Sequence, residues 1–100
     1  MKHSEWRAEG ERKFGPDIKG WKFVCPSCGY VASVQDWIDA EAERSIAFSC
    51  VGRNTGSKKG IGDKTGGPCN YAGGGLFQIN PVKVEFEDGT IASYFAFADV

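Results

Sequence analysis

The chain has 100 residues, of which 41% are hydrophobic and 25% are charged, and its formal net charge is −1. This length supports one hydrophobic core, so we expect a single domain over residues 1–100. The slightly acidic balance argues against a protein that binds DNA through bulk positive charge. The first residues are mostly charged or polar, so we expect no secretory signal, and no apolar run reaches membrane-spanning length. We therefore expect a cytoplasmic protein.

The N-terminal segment predicts a short helix. Ser4 is a candidate N-cap for residues 5–14, acidic residues come early and basic residues late, and Gly15-Pro16 stops the helix. Trp6 and Phe14 would share one face. Such a face either binds a partner or packs on the domain's own core, and we favour packing.

A metal-binding knuckle follows a predicted strand. Trp21, Phe23 and Cys25 alternate with other residues at the period of a strand, which runs into Cys25-Pro26-Ser27-Cys28-Gly29. Two thiolates at this spacing converge on one ion, the proline fixes φ in the turn, and the glycine allows a positive φ. Residues 30–32 should return as the partner strand.

The central part of the chain predicts a helix and a further strand. Ser33 is a candidate N-cap for a helix over residues 34–42, with Asp36 as the acid of a capping box. The apolar face of this helix carries Val34, Trp37 and Ile38. Residues 45–50 alternate as a strand and deliver the third cysteine at its end.

A glycine-rich loop and a hairpin complete the chain. Residues 52–67 contain many glycines and lysines and few core residues, which predicts a flexible loop, and the glycines at 73–75 have the freedom to wrap a metal. The alternating runs 82–87 and 90–97 are joined by Asp88-Gly89, which predicts a β-hairpin. Its apolar face would carry Val82, Val84, Phe86, Ile91, Phe95 and Phe97. If the strand edge beside Phe95 and Phe97 is unpaired within the chain, it can pair with a second copy, so a homodimer is an open alternative.

Four cysteines predict one structural metal site. In a reducing cytosol an even cysteine count favours metal binding over disulfides. A closed zinc site takes four nitrogen or sulfur ligands, so we assign Cys25, Cys28, Cys50 and Cys69 to one Zn²⁺, with His3 as the one substitute ligand. The alternatives are two disulfides, simple buried thiols or a redox C-x-x-C pair, although a redox pair needs its first cysteine at the start of a helix.

The knuckle, the strands and the second pair of cysteines resemble the zinc-ribbon and treble-clef class over about residues 21–80. That resemblance implies a structural metal in an adaptor for nucleic acid or protein. The second pair of a ribbon is normally another C-x-x-C, so the insertion between Cys50 and Cys69 leaves open whether Cys50 is a ligand. A long insertion costs little loop-closure entropy.

Several short motifs carry a closer resemblance. Residues 5–10 (EWRAEG), 21–29 (WKFVCPSCG), 50–53 (CVGR) and 68–72 (PCNYA) are similar to a family of short phage and prophage proteins with no established activity. That resemblance spans almost the whole chain. It implies an accessory protein inside a bacterial host cell, a class in which inhibitors of host defence systems are common.

The distribution of charge favours a binding function. The formal charge is +2 over residues 1–24, −3 over 25–51, +3 over 52–68 and −3 over 69–100. We expect a small α+β zinc-ribbon-like domain, with an N-terminal helix, a central helix, antiparallel strands and a C-terminal hairpin, that binds a host-encoded protein. The acidic hairpin residues Glu85, Glu87, Asp88 and Asp99 either mimic phosphates toward a basic partner or form a solvated face.

Nucleic-acid binding through the glycine-rich loop is the alternative function. The basic residues Arg53, Lys58, Lys59 and Lys64 would contact phosphates, and Trp21 or Tyr71 would stack on bases. We expect no enzymatic activity, because a site closed by four thiolates leaves no open position for water or substrate and the chain has a single histidine.

Overall fold

The computed structural model describes residues 1–53, 68–74 and 79–98. Within these ranges the helices are α1 (His3–Phe14) and α2 (Val34–Asp39), and the strands are β1 (Lys22–Val24), β2 (Val31–Ser33), β3 (Val82–Glu85), β4 (Ile91–Tyr94) and β5 (Ala96–Phe97). The strands form two antiparallel sheets, with the orders β2-β1-β5 and β3-β4. The fold is therefore α+β, as predicted. None of the helices in the described ranges combines the length and the apolar character needed to cross a membrane.

The first helix begins earlier than predicted. Ser4 lies inside α1, and Lys2 is the N-cap. The predicted cap was wrong because the Glu5 carboxylate accepts a hydrogen bond from the backbone N–H of Lys2 at 2.8 Å, so the start of the helix depends on the acid rather than on the serine. Gly15 ends the helix with φ +91°, as predicted.

Helix α1 packs on the core through aromatic rings. The ring of Trp6 lies between 5.5 and 6.1 Å from the rings of four other aromatic residues, Trp21, Phe23, Tyr94 and Phe97. Phe14 lies 6.0 Å from Phe97. This confirms that the apolar face of α1 packs on the domain itself.

Strand β1 is central to its sheet. Phe23 pairs with Ala32 of β2 on one side and with Phe97 of β5 on the other. Ser33 ends β2 and caps α2: its hydroxyl accepts from the N–H of Asp36 at 3.2 Å, and the Asp36 carboxylate accepts from the N–H of Ser33 at 2.8 Å. The predicted return strand and capping box are both confirmed.

Helix α2 ends three residues before the predicted end at residue 42. Glu41 adopts a left-handed conformation with φ +57°, and its N–H donates to the carbonyl of Ile38 at 3.0 Å. The N–H of Ala42 donates to the carbonyl of Trp37 at 2.8 Å. This pair of bonds is a Schellman motif, which closes the helix and turns Ala42 onto the core.

Residues 45–50 do not form the predicted strand. The chain follows a 3₁₀ turn at Glu43–Ser45 and then further turns, with the N–H groups of Phe48 and Ser49 both bonded to the carbonyl of Ser45. Ala47 is buried with φ +56°. Its carbonyl accepts from the N–H of Phe95 at 2.7 Å, so a long-range contact holds the segment in a turn that the alternating sequence does not indicate.

The C-terminal hairpin is confirmed, but its connection has three residues, 87–89. Phe86 pairs with Thr90 through an N–H···O bond of 2.8 Å, and Gly89 adopts φ +89°. This register places Ile91 opposite Glu85, on the outer face of the sheet. The predicted inward position of Ile91 was therefore wrong, because a one-residue change in the loop moves a side chain to the other face.

The second strand of the predicted hairpin divides at Phe95. β4 remains with β3, whereas β5 crosses to β1 and pairs with it within the chain. Phe95 lies between the two strands and is buried, and Phe97 packs against the core. The edge beside Phe97 is consequently covered on one side by β1.

Candidate metal centre

The four cysteines lie together in the interior. Cys25 follows β1, Cys28 lies in the turn before β2, Cys50 precedes the 3₁₀ turn Val51–Arg53, and Cys69 lies in a segment without regular secondary structure. Their sulfur atoms are all within 4.8 Å of one another, and the residues are between 0% and 7% exposed. The structure thus brings together every predicted ligand, including Cys50.

The first half of the centre is the knuckle at residues 25–29. The N–H of Cys25 donates to the carbonyl of Tyr30 at 3.0 Å, and the N–H of Gly29 donates to the carbonyl of Cys25 at 2.9 Å. Gly29 has the predicted positive φ, at +79°. Cys25 follows a strand and does not begin a helix, so it lacks the helix position that a redox C-x-x-C pair requires.

The second half of the centre depends on a close approach of two chain segments. The N–H of Cys50 donates to the carbonyl of Tyr71 at 3.0 Å. A Cβ atom on Gly52 would lie 2.3 Å from the carbonyl oxygen of Cys69, so only glycine lets the two cysteine segments meet. The sequence suggested a loop glycine at this position and gave no indication of this contact.

The predicted role of the glycines at 73–75 was wrong for Gly73. A Cβ atom on Gly73 would lie 2.1 Å from the carbonyl oxygen of Phe48, and its N–H donates to the Ser49 hydroxyl at 3.0 Å. Gly73 therefore permits close packing on the turn before Cys50, and it does not wrap the cysteine cluster.

The geometry of the four sulfurs fits a tetrahedral ion. A zinc ion about 2.3 Å from each of four sulfurs gives a tetrahedron whose edges are about 3.8 Å. The Sγ atoms of Cys25 and Cys69 are 3.9 Å apart, and those of Cys28 and Cys50 are 3.8 Å apart. All four are free cysteines, and these separations are nearly twice the length of a disulfide bond, which is about 2.05 Å.

Hydrogen bonds and burial shift the pKa values of the cysteines in opposite directions. The pKa of Cys50 is lowered to about 5, chiefly by the neighbouring Cys25 thiol and further by the N–H groups of Gly52 and Cys69, although burial opposes this shift. The pKa of Cys25 is raised because the Cys50 sulfur is its neighbour and because Cys25 is buried. Burial raises the pKa of Cys69, whereas the N–H of Tyr71, 3.4 Å from its sulfur, lowers it. The backbone N–H donors therefore favour the thiolate that a metal binds, whereas burial opposes it.

Other predicted site residues lie away from this cluster. The ring of His3 stacks on Phe86 at 4.7 Å, and His3 is not part of the group of cysteines. Trp21 and Tyr71 are buried, at 1% and 0% exposure, so the prediction that either one stacks on bases was wrong.

The predicted charged surfaces are only partly described. Arg53 is exposed at the end of its 3₁₀ turn, whereas Lys58, Lys59 and Lys64 lie outside the described residues, as do residues 54–67 of the predicted loop. The acidic residues Glu85, Glu87 and Asp88 are exposed on the hairpin, and Asp99 lies outside the described residues. Phosphate binding by the loop and phosphate mimicry by the hairpin remain predictions.

Comparison with known proteins gives a family but no characterised relative. No curated protein and no solved structure matches the chain. The model of the VVA0879-like family matches residues 2–98, which includes α1, all five described strands and all four cysteines. The chain therefore belongs to the VVA0879-like family.

Proposed function

We propose that this protein is a zinc-stabilised binding domain in which Cys25, Cys28, Cys50 and Cys69 hold one Zn²⁺ per chain. The observation that carries the proposal is the closed cluster of four buried sulfurs with tetrahedral spacing. Tetrahedral sulfur ligands suit zinc, and four protein ligands leave no position for water or substrate, which is the arrangement of a structural site.

The proposed activity is binding to another protein, without catalysis by this chain. Consistent with its resemblance to phage and prophage proteins, we place it in the cytoplasm of a bacterial host, as an accessory protein whose partner is host-encoded, for example a component of a defence system. The surface that supports this is the outer face of the β3–β4 hairpin. Ile91 is 62% exposed there and lies opposite Glu85, beside the pair of Lys83 and Ser93. An apolar anchor with a polar surround is the usual composition of a binding surface.

The zinc part of the proposal is tested by native mass spectrometry of the purified chain. We expect one zinc per chain and loss of the near-ultraviolet circular dichroism of the buried tryptophans when a chelator removes it. Replacing Cys50 with serine should abolish stoichiometric binding. A chain that keeps its tertiary structure without metal would contradict the proposal.

The binding part is tested by affinity capture from a bacterial lysate with matched variants. Ile91→Asp places a charge on the proposed surface, whereas Ile18→Asp places the same charge at a 39% exposed isoleucine in the turn Ile18–Gly20. We expect a captured protein to be retained by Ile18→Asp and to bind Ile91→Asp at least about tenfold more weakly. Equal binding by both variants would remove the hairpin face from the proposal.

A further inference from the structure

One buried tyrosine links the two cysteines of the second half of the centre. The N–H of Tyr71 donates to the sulfur of Cys69 at 3.4 Å, and its carbonyl accepts from the N–H of Cys50 at 3.0 Å. The glycine-rich stretch separates these two cysteines in the sequence. The backbone groups of a single residue therefore set how the two ligands meet.

The side chain of Tyr71 is held at its far end. The residue is completely buried, and its hydroxyl accepts from the N–H of Ile79 at 2.8 Å. Its ring lies 6.1 Å from the ring of Phe95. An aromatic side chain that is packed along its ring and hydrogen-bonded at its tip has little freedom to move, so it also restrains the backbone that carries it.

We infer that Tyr71 is a positioning residue of the metal centre, whose hydroxyl, held by the N–H of Ile79, fixes its backbone so that Cys50 and Cys69 meet one ion together. The inference rests on the proposed zinc centre. Groups that hydrogen-bond to metal ligands fix the orientation of those ligands, and their loss typically weakens metal binding about 10- to 100-fold.

The test removes the hydroxyl alone and compares the result with two controls. Tyr71→Phe keeps the ring and loses the hydrogen bond. Tyr94→Phe removes the same group from a half-buried ring that lies 5.5 Å from the ring of Trp6 in α1. Gly10→Ala destabilises the fold from α1, because a Cβ atom there would collide with the ring of Trp21.

The measurements separate ligand geometry from folding stability. Each chain is titrated with Co²⁺, whose sulfur-to-cobalt absorption band reports on the arrangement of the thiolates, and zinc affinity is measured by chelator competition. Because metal binding is coupled to folding, a less stable fold lowers the affinity. It leaves the band of the cobalt-saturated chain unchanged.

We expect Tyr71→Phe to bind zinc about tenfold more weakly and to shift the cobalt band at saturation. Tyr94→Phe should keep both the affinity and the band, whereas Gly10→Ala should lose affinity and keep the band. Wild-type zinc affinity or an unshifted band in Tyr71→Phe, or the same shift in Tyr94→Phe, would overturn the role of Tyr71 and leave the zinc centre standing. A wild-type chain that binds neither metal would overturn the zinc centre and the role of Tyr71 together.

Discussion

Gly10 brings α1 against the core at a distance that no other residue permits. A Cβ atom at this position would lie 2.4 to 2.6 Å from three ring atoms of Trp21. The indole of Trp21 is itself fixed, because its Nε1 donates to the carbonyl of Gly15 at 3.0 Å. The ring therefore has little freedom to move away from a larger side chain.

Replacing Gly10 with alanine should destabilise the protein by about 1–3 kcal/mol through overpacking, which outweighs the gain of about 1 kcal/mol in helix propensity. Urea unfolding measures the change. Gly20→Ala is the matched control, because no atom lies within 4 Å of a Cβ built there, and it should change stability by less than about 0.5 kcal/mol. A Gly10→Ala chain more stable than wild type would contradict the packing of α1 on Trp21.

Asn80 joins the turn before Cys50 to the hairpin. Its side-chain Nδ2 donates to the carbonyl of Phe48 at 3.1 Å and to the carbonyl of Ser93 at 3.0 Å, and the residue is buried. We expect Asn80→Ala to lower the free energy of unfolding by about 2–3 kcal/mol, because two carbonyls lose a buried donor.

The control for Asn80 is another side-chain amide in an exposed bond. Gln35 donates to the Asp39 carboxylate at 2.8 Å on the surface of α2. Gln35→Ala should cost about 0.5 kcal/mol or less, because water replaces the lost bond. Comparable losses in thermal or urea unfolding of the two variants would show that burial does not decide the contribution of Asn80.

At the scale of elements, the features that the sequence predicted correctly are ones that neighbouring residues determine. Residues a few positions apart determine three of these features: the two hydrogen bonds between Ser33 and Asp36, the turn at Asp88-Gly89 and the positive φ of Gly29. Residues 45–50 have an equally clear alternation, yet they form turns because the carbonyl of Ala47 receives the N–H of Phe95. Phe95 is far from Ala47 in the sequence, so no pattern within residues 45–50 indicates this bond.

The same distinction applies to the metal centre. Cysteine is scarce enough that four of them identified the cluster from the sequence. Gly52 was missed because it acts on Cys69 across the fold, through a close approach of the two chain segments. A glycine in a glycine-rich segment is not unusual enough to indicate such a role.

The end of α2 offers a prediction in which stability increases. Glu41 is the left-handed residue of the Schellman motif, with φ +57°, a conformation that costs a side-chain-bearing residue about 1–2 kcal/mol. Glu41→Gly should therefore stabilise the protein by about 1 kcal/mol, measured as a rise in the urea midpoint. Glu43→Gly, at a position without positive φ, should instead destabilise it by about 0.5–1 kcal/mol. A loss of stability in both variants would contradict the motif.

At the scale of the whole molecule, Phe95 connects the cysteine cluster to both sheets. Its ring lies 6.1 Å from the rings of Tyr71 and Trp37, and its N–H donates to Ala47 at 2.7 Å. Tyr71 in turn bonds both cysteines of the second half, through its carbonyl to the N–H of Cys50 and through its N–H to the sulfur of Cys69. The hairpin and the metal centre should therefore fold as one unit.

Phe95→Ala tests this coupling, because it removes the ring between the two regions without touching a cysteine. We expect the free energy of unfolding to fall by about 3–5 kcal/mol, as for other buried phenylalanines. We also expect zinc affinity to fall at least about tenfold, because metal binding is coupled to folding and a destabilised fold binds the metal more weakly. Ile91→Ala removes a large apolar side chain from the exposed face of the hairpin and should change neither quantity appreciably. If Phe95→Ala unfolds more easily in urea but binds zinc as tightly as wild type in chelator competition, the hairpin is a separate unit and the metal stabilises only the segments around the cysteines.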